Sequence, residues 1–359
     1  MAGKNTCQKL NVQKIIFEMT ASLPSRTKDV IEKRFGLNQA EAITLEAIGQ
    51  KYGITRERVR QIEYDGLSVL RQPQRLESLN SFFELAQSHL RDRGDFQEEQ
   101  SLYKELGQTI NLAPRQFYFA LYLNKNFHYL PAGRQYNAAW TINKNSAAKV
   151  QKAINQIVKE LRMIRRPVSQ NEILAVGARH LKQTVGFSLV SDTITNSSLA
   201  LAKEIANNPF GEYGLVHWAD INPRGVRDKA HLIFKRHGKP LHFREVAEHI
   251  NKASFDSRSA HPQTVHNELI KDQRFVLIGR GIYALKDWGY EPGTVKDVLL
   301  NLFKKSRRPL SKDEIINKVT AQRLVKANTI LLNLQNRNYF ERTADGKYSL
   351  KDKAITAEA

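Results

Sequence analysis

The feature that most constrains the fold of this chain is the segment TLEAIGQKYGITRERVRQIE, which runs from Thr44 to Glu63. Threonine is a preferred helix N-cap, so the segment predicts one helix after Thr44 and a second after Thr55. Gly53 stands between them, where a tight turn needs a positive φ. Apolar residues at helical spacing predict a small shared core, made of Leu45, Ile48, Ile54, Val59 and Ile62. Two helices joined in this way form a helix-turn-helix.

Helical patterns also flank this segment. One helical face before it is apolar and consists of Val12, Ile15, Ile16 and Met19. A second helix is expected to end at Gly36 in the left-handed conformation. Gly66 lies inside the last helix, where glycine costs about 1 kcal/mol relative to alanine. Pro73 ends the region, which predicts a first domain over residues 1–73.

The rest of the chain is repetitive. Three similar strings begin about 70 residues apart, a spacing longer than solenoid periods: RRPVSQNEIL at Arg165, GKPLHFREVA at Gly238 and RRPLSKDEII at Arg307. In each string, proline is followed by a branched apolar residue and a capping residue. Glutamate comes three residues after the capping residue, which predicts a capping box where that residue is serine.

Each repeat ends in two β-prone runs around glycine, in NPFGEYGLVHW, FVLIGRGIYAL and YFERTADGKYSL. Helix, short strand, helix, helix and hairpin is the order of a winged helix. A weaker copy with the hairpin FHYLPAGRQYNAAW lacks the proline signal. The predicted fold is therefore mainly α with small β-wings, a helix-turn-helix domain followed by three or four tandem winged-helix modules. The predicted boundaries are 1–73, a degenerate module at 74–146, modules at 147–222, 223–290 and 291–351, and a tail at 352–359.

The charge balance indicates the class of partner. Lysine and arginine number 56 against 36 acidic residues, a formal net charge of +20. Nucleic acid is the first candidate, because neutralised phosphates release counterions, although an anionic membrane or a ribosome fits the charge equally well. The single cysteine, Cys7, excludes a disulfide within the chain. No signal peptide or apolar run of transmembrane length is present, so we expect a cytoplasmic, nucleoid-associated protein without a membrane partner.

The second helix of the predicted helix-turn-helix carries polar side chains at its start, in the order Arg56, Glu57, Arg58, Arg60 and Gln61. In helix-turn-helix proteins this end enters the major groove of DNA. Arginine pairs with guanine O6 and N7, glutamine with adenine, and glutamate with cytosine N4. The alternative interpretation is that these side chains form an ordinary charged helix face in contact with solvent.

The segment from Leu23 to Pro73, with LPSRTKDVIEKRFGL and ITRERVRQIE, resembles region 4 of the bacterial sigma-70 family. The resemblance implies recognition of a promoter −35 element in double-stranded DNA and contact with the β flap, or another subunit, of RNA polymerase core. It assigns base reading to Arg56, Glu57 and Gln61, and backbone contacts to Thr44, Thr55, Arg58 and Arg60. Residues 1–22 are too few for the helices that melt the −10 element in that family. We therefore expect a protein that assists, mimics or competes with a sigma factor.

The segment from Arg227 to Tyr290 resembles the HARE-type winged helix found in the δ subunit of bacterial RNA polymerase, notably in TVHNELIKD and IGRGIYAL. The resemblance implies binding to polymerase or DNA. Val265, Leu269 and Ile270 are predicted to face the core. A second nucleic-acid or polymerase contact is predicted at Gln263, Thr264, His266, Asn267, Lys271 and the hairpin-tip residue Arg280. The alternative is an ordinary solvated surface.

Basic clusters precede each repeated proline, at Arg162, Arg165 and Arg166, at Lys235, Arg236 and Lys239, and at Lys304, Lys305, Arg307 and Arg308. Their repeated position favours either a surface that follows a nucleic-acid backbone or cations that complement helix C-termini. Both interpretations stay open at the level of sequence.

Signatures of catalysis are missing from the sequence. Its histidines lack the spacing for a shared metal ion, and no cysteine pairs support them. Neither a P-loop, a dinucleotide-binding glycine motif nor a serine nucleophile elbow occurs. We therefore expect a non-enzymatic protein with no metal, no cofactor and no small-molecule substrate.

The sequence therefore favours a transcription factor with sigma-like promoter recognition that acts with RNA polymerase. Two alternatives stay open: a δ-like accessory protein of RNA polymerase with secondary DNA contact, and the DNA-recognition component of a restriction or defence system.

Overall fold

The structure, a computed structural model, describes residues 11–38, 41–186, 190–290, 292–323 and 325–351. The chain divides into two compact units, Met1–Ala206 with Tyr213–Val216, and Asn207–Glu212 with His217–Ala359. Cys7 and the tail predicted at 352–359 lie outside the described residues.

The first unit begins with helices that follow the predicted pattern. They are α1 (Val12–Ala21), α2 (Ser25–Phe35), α3 (Leu45–Tyr52) and α4 (Arg56–Leu70). Thr44 caps α3 and Thr55 caps α4, each hydroxyl accepting a backbone N–H at 3.2 Å. The turn between them has a φ of +63° at Gly53 and α2 ends with a φ of +67° at Gly36, so both predicted glycine turns are confirmed.

The next module forms a three-stranded sheet beside helices. Its elements are α5 (Pro73–Leu76), a 3-10 turn, α6 (Asn80–Arg91), β1 (Phe96–Glu98), α7 (Glu99–Leu102), a π-helical turn (Tyr103–Gly107), α8 (Pro114–Leu123), β2 (His128–Leu130) and β3 (Ala139–Thr141). The strand order is β1-β3-β2, and both outer strands pair antiparallel with β3. Gln97 and Tyr129 both lie opposite Trp140. The predicted hairpin is therefore present.

One hydrophobic core joins this module to the helix-turn-helix. It is continuous from Ile16 on α1 through Leu70 at the end of α4 to Phe82 and Phe117. Across the same contact, the ring of Phe35 packs on the ring of Phe119 at 4.9 Å. The predicted boundary at residue 73 thus falls within a shared core, and helix α4 rests on the module that follows it.

The last module of the first unit contains α9 (Lys144–Ile164), α10 (Gln170–Val185), α11 (Asp192–Leu201), β4 (Ile205–Asn207) and β5 (Tyr213–Leu215). The second unit holds two modules. The first has α12 (Val226–His237), β6 (Leu241–His242), α13 (Phe243–Ala253), α14 (Pro262–Lys271), β7 (Phe275–Gly279) and β8 (Ile282–Leu285). The second has α15 (Val295–Ser306), α16 (Lys312–Thr320), α17 (Ala327–Leu334), β9 (Phe340–Arg342) and β10 (Tyr348–Leu350).

The three repeats are built in the same way. In each, the apolar residue after the repeated proline pairs antiparallel with a tyrosine of the closing hairpin: Val168 with Tyr213, Leu241 with Tyr283 and Leu310 with Tyr348. Each following helix starts with a complete capping box, from Ser169, His242 and Ser311 to Glu172, Glu245 and Glu314. The order of elements is that of a winged helix, and the fold class, mainly α with small antiparallel sheets, is confirmed.

One predicted core residue is wrong. Val265 and Leu269 on α14 are buried, but Ile270 is 62% exposed. Ile270 follows Leu269 directly, so its side chain is rotated by about 100° from the buried face of the helix. An apolar residue at the end of an amphipathic helix was thus assigned to the wrong face.

Gly66 is buried where α4 crosses α2. A Cβ added there would lie 2.7 Å from Thr27 Cγ2 and 3.2 Å from Ile31 Cγ1. Both of these side chains are β-branched and stiff in a helix, so they cannot move aside without strain. Glycine therefore allows the two helices to approach closely.

We predict that Gly66→Ala lowers the free energy of unfolding of the first unit by about 1–3 kcal/mol, because overpacking outweighs the gain in helix propensity. Urea unfolding, monitored by hydrogen exchange of the backbone amides in α2 and α4, measures this change in free energy. Gly133→Ala is the control, since a Cβ there meets no atom within 4 Å. An alanine variant at position 66 that is as stable as the parent would show that the helices are not held by this contact.

Candidate nucleic-acid interface

A small apolar core sets the angle between α3 and α4. Val30, Ile48 and Val59 are fully or almost fully buried in it. The other predicted members, Leu45, Ile54 and Ile62, pack around them with Ile43 and Tyr52. The predicted core is confirmed, and the structure adds Val30 of α2. Helices α2 and α3 thus pack against one side of α4.

The turn between α3 and α4 depends on a second close contact. A Cβ at Gly49 would lie 2.7 Å from the carbonyl oxygen of Ile54, a backbone atom that cannot rotate away. The small residue lets the last turn of α3 pack against the chain that enters α4. The start of α4 is therefore held at a fixed position.

A polar contact ties α2 to the end of α3. The Asp29 carboxylate accepts hydrogen bonds from Lys33 Nζ and from the hydroxyl of Tyr52. Burial raises the pKa of Asp29, but these two hydrogen bonds lower it more, so the net shift is downward. Arg26 lies over the ring of Tyr52 at 5.2 Å. Nothing in the sequence pattern links Asp29 to Tyr52, so this tie was not predicted.

The predicted DNA-contacting residues lie together on the outer side of this assembly. Arg56, Glu57, Arg58, Arg60 and Gln61 are all exposed on the first two turns of α4, and the caps Thr44 and Thr55 are exposed beside them. Val59, in the midst of these positions, is completely buried. The geometry therefore leaves the leading turns of α4 open to a partner.

Two of these side chains are paired with each other. Arg60 Nε donates to both carboxylate oxygens of Glu57 at 3.0 Å, and a terminal nitrogen of Arg60 donates at 2.6 Å. The pair lowers the pKa of Glu57, chiefly through the hydrogen bond from Arg60. Both side chains are more than half exposed, so the ion pair is weak and exchanges readily for a base or a phosphate.

The aromatic side chain of Tyr64 extends the same face of α4, and it was not predicted from the sequence as a contact residue. Tyr64 is 66% exposed and lies one turn after Gln61 on α4. Its position at i+3 from Gln61 is the signal that places it on this face. A phenol there offers a ring and a hydroxyl to whatever contacts Gln61.

The second predicted contact surface lies on α14 and the hairpin of the same module. Gln263, Thr264, Asn267, Lys271 and the tip residue Arg280 are exposed. Gln263 donates to Asn267 across one turn at 3.2 Å. His266 is only partly exposed.

His266 packs into a row of rings. Its ring lies 4.7 Å from Phe243 and 5.9 Å from Tyr283. The guanidinium of Arg244 lies over the ring of Phe243, 5.9 Å from the ring centroid. Phe243 and Arg244 were not predicted for this surface, because they lie on α13 and reach it only through the fold.

Comparisons with known proteins match the two domains that carry these surfaces. Residues 21–72 match the family model for sigma-70, region 4. This match contains α2, α3 and α4. Residues 225–288 match the HARE-HTH model, whose description includes a restriction endonuclease HTH domain. The predicted domain composition is therefore confirmed.

Curated relatives match over the same N-terminal part. The chain is 44% identical over 63 residues to the RNA polymerase sigma factor SigA of Listeria monocytogenes, which is 18% of this chain and 17% of that protein. It is 47% identical over 64 residues to the RNA polymerase sigma factor RpoS of Coxiella burnetii, 18% of each chain. The chain thus spans less than a fifth of the length of these relatives. The matches show that the N-terminal part of the chain is similar to region 4 of sigma factors.

Neither a membrane-spanning helix nor a metal cluster is found in the described part of the chain. No helix there is both long and apolar enough to cross a bilayer. Among the same residues, no group of three or more histidine, cysteine, aspartate or glutamate side chains is arranged to hold a metal ion.

We predict that Asp29→Asn lowers the free energy of unfolding of the first unit at pH 7. The difference in this free energy between the variant and the parent disappears as the pH falls. The folded pKa of Asp29 lies below the ordinary value of 3.8. The carboxylate therefore stabilises the fold fully above pH 4, and this stability is lost as the pH falls through the folded pKa. Urea unfolding at several pH values between 7 and 2 measures it.

Asp65→Asn is the control for this experiment, because Asp65 is an exposed carboxylate of α4. A pH-independent difference between Asp29→Asn and the parent would show that the carboxylate charge does not tie α2 to α3.

Proposed function

We propose that this chain is a DNA-binding transcription factor that recognises promoter-like duplex DNA and acts with RNA polymerase in transcription initiation or its regulation. One observation carries the proposal: the leading turns of α4 are exposed in a domain that matches sigma-70, region 4. The matched relatives are RNA polymerase sigma factors, which favours RNA polymerase core as the protein partner.

The proposed recognition divides the exposed side chains of α4 by chemistry. Arg56, Glu57 and Gln61 read base edges, with arginine on guanine, glutamine on adenine and glutamate on the amino group of cytosine. Arg58 and Arg60 hold phosphates, and the caps Thr44 and Thr55 lie where the backbone passes the helix starts. Glu57 and Arg60 give up their weak mutual ion pair for these contacts when DNA binds.

The remaining modules extend the contact. The net charge of +20 supplies a large salt-dependent contribution to binding an anionic polymer. The surface around α14 and Arg280 is a second contact, on DNA or on polymerase. In this proposal the chain acts by binding and carries out no reaction of its own.

We predict that Arg56→Ala with Gln61→Ala abolishes the preference for the target sequence and leaves salt-dependent, non-specific binding intact. The lost base contacts are worth about 1–3 kcal/mol each, whereas the remaining cations still neutralise phosphates. Fluorescence anisotropy with a target duplex, selected by footprinting of the full chain, and a scrambled duplex measures the preference.

Gln13→Ala with Lys14→Ala is the matched control, since it removes an amide and a cation from the exposed side of α1. If the α4 double variant loses both kinds of binding together, α4 does not carry the sequence preference that we assign to it.

A second candidate is the DNA-recognition component of a restriction or defence system. The description of the matched HARE-HTH family names a restriction endonuclease, which favours it. Capture of the tagged chain from cells after nuclease treatment separates the two candidates. Recovery of RNA polymerase subunits supports the transcription factor, and recovery of a nuclease without polymerase supports the second candidate.

A further inference from the structure

The repeats share an unusual residue at the end of their first helix. Helices α9, α12 and α15 all end in a left-handed residue, with a φ of +56° at Arg165, +63° at Gly238 and +50° at Arg307. The three residues occupy the same place in their repeats, and all three are exposed. One repeat thus uses glycine where the other two use arginine.

The fold itself does not require arginine at this place. Left-handed backbone is strained for a residue with a Cβ and free of strain for glycine. Gly238 shows that the same helix end forms with glycine. The two arginines therefore carry a backbone strain that glycine would remove, so the helix end itself gives no structural reason for an arginine side chain at this place.

The arginine that follows the left-handed residue in the first and third repeats has a structural role. Arg166 donates to Glu172 at 2.8 Å, and Arg308 donates to Glu314 at the same distance. These glutamates complete the capping boxes of α10 and α16, and their pKa values fall to about 2. For Glu172 the main cause is the hydrogen bond from Arg166, and for Glu314 it is the backbone N–H of Ser311.

Other cations of the same clusters are also engaged. Arg162 pairs with Glu204 at 2.7 Å, and Lys235 pairs with Asp220 at 3.1 Å. In contrast, the guanidinium groups of Arg165 and Arg307 make no ion pair or hydrogen bond within the described residues. Within the first and third clusters, the two left-handed arginines are thus exposed cations without an internal partner among the described residues.

We propose that Arg165 and Arg307 each bind a phosphate of the duplex DNA backbone. A guanidinium suits a phosphate because its fork of N–H donors matches two phosphate oxygens. The inference rests on the proposed DNA-binding function and assigns the backbone contacts of two winged-helix modules to one repeated position. It also separates the two interpretations of the basic clusters: the second arginine stabilises the fold, and the first binds the ligand.

The test uses the full chain with Arg165→Gly and Arg307→Gly together, and a random-sequence duplex of 40 base pairs as the probe, about the length of four helical turns. Fluorescence anisotropy over a series of salt concentrations gives the slope of log K against log salt. We expect the slope to fall by about 2, one for each phosphate that the variant no longer neutralises. Removal of the strain raises the melting temperature of each unit by about 2–4 °C.

The matched control is Arg166→Gln with Arg308→Gln, which removes the same charge one residue away. We expect it to leave the slope within about 0.5 of the parent and to lower the melting temperature, because the capping glutamates lose their partners. A purely structural role for Arg165 and Arg307 would lower stability in the glycine variant. A diffuse charge effect would change both slopes equally, and either result would overturn the proposal.

Failure of this inference is distinguishable from failure of the proposed function. A parent chain that binds no duplex at any salt concentration contradicts the proposed function itself. A parent chain that binds with a steep salt slope, unchanged in the glycine variant, contradicts only the assignment of Arg165 and Arg307.

Discussion

The presentation of α4 depends on its close approach to α2. At Gly66 the two helices meet with no room for a Cβ, and Val30 of α2 reaches the core between α3 and α4. This contact holds the buried side of α4 inward and leaves its first two turns facing solvent. The C-terminal end of α4 continues into the core of the next module, so α4 is supported at both ends.

Local features of the interface followed from the sequence. Thr44 and Thr55 cap their helices, Gly53 forms the turn, and the predicted core residues pack together. These features depend on neighbours within a few residues, so spacing and side-chain chemistry suffice to find them. The repeated capping boxes followed for the same reason, and the histidine at position 242 takes the role that serine has in the other two repeats.

Features that depend on distant parts of the chain could not be predicted from the sequence. Helix propensity alone marks Gly66 as a weakness, whereas the packing of Thr27 and Ile31 makes it a requirement. Ile270 follows a buried leucine but lies on the outer face, and only the fold distinguishes these two faces. The tie from Asp29 to Tyr52 spans 23 positions and leaves no periodic signal. For Gly66 and Asp29 the deciding partner comes from another helix.

In the proposed function, the first turns of α4 enter the major groove of duplex DNA. Interference by dimethyl sulfate tests it most directly, since this reagent methylates guanine N7 in the major groove and adenine N3 in the minor groove. We predict that methylation of guanine N7 at a few clustered positions prevents binding of the full chain to its target duplex. Binding that tolerates N7 methylation at every guanine of the target, with interference only at adenine N3, would contradict the account.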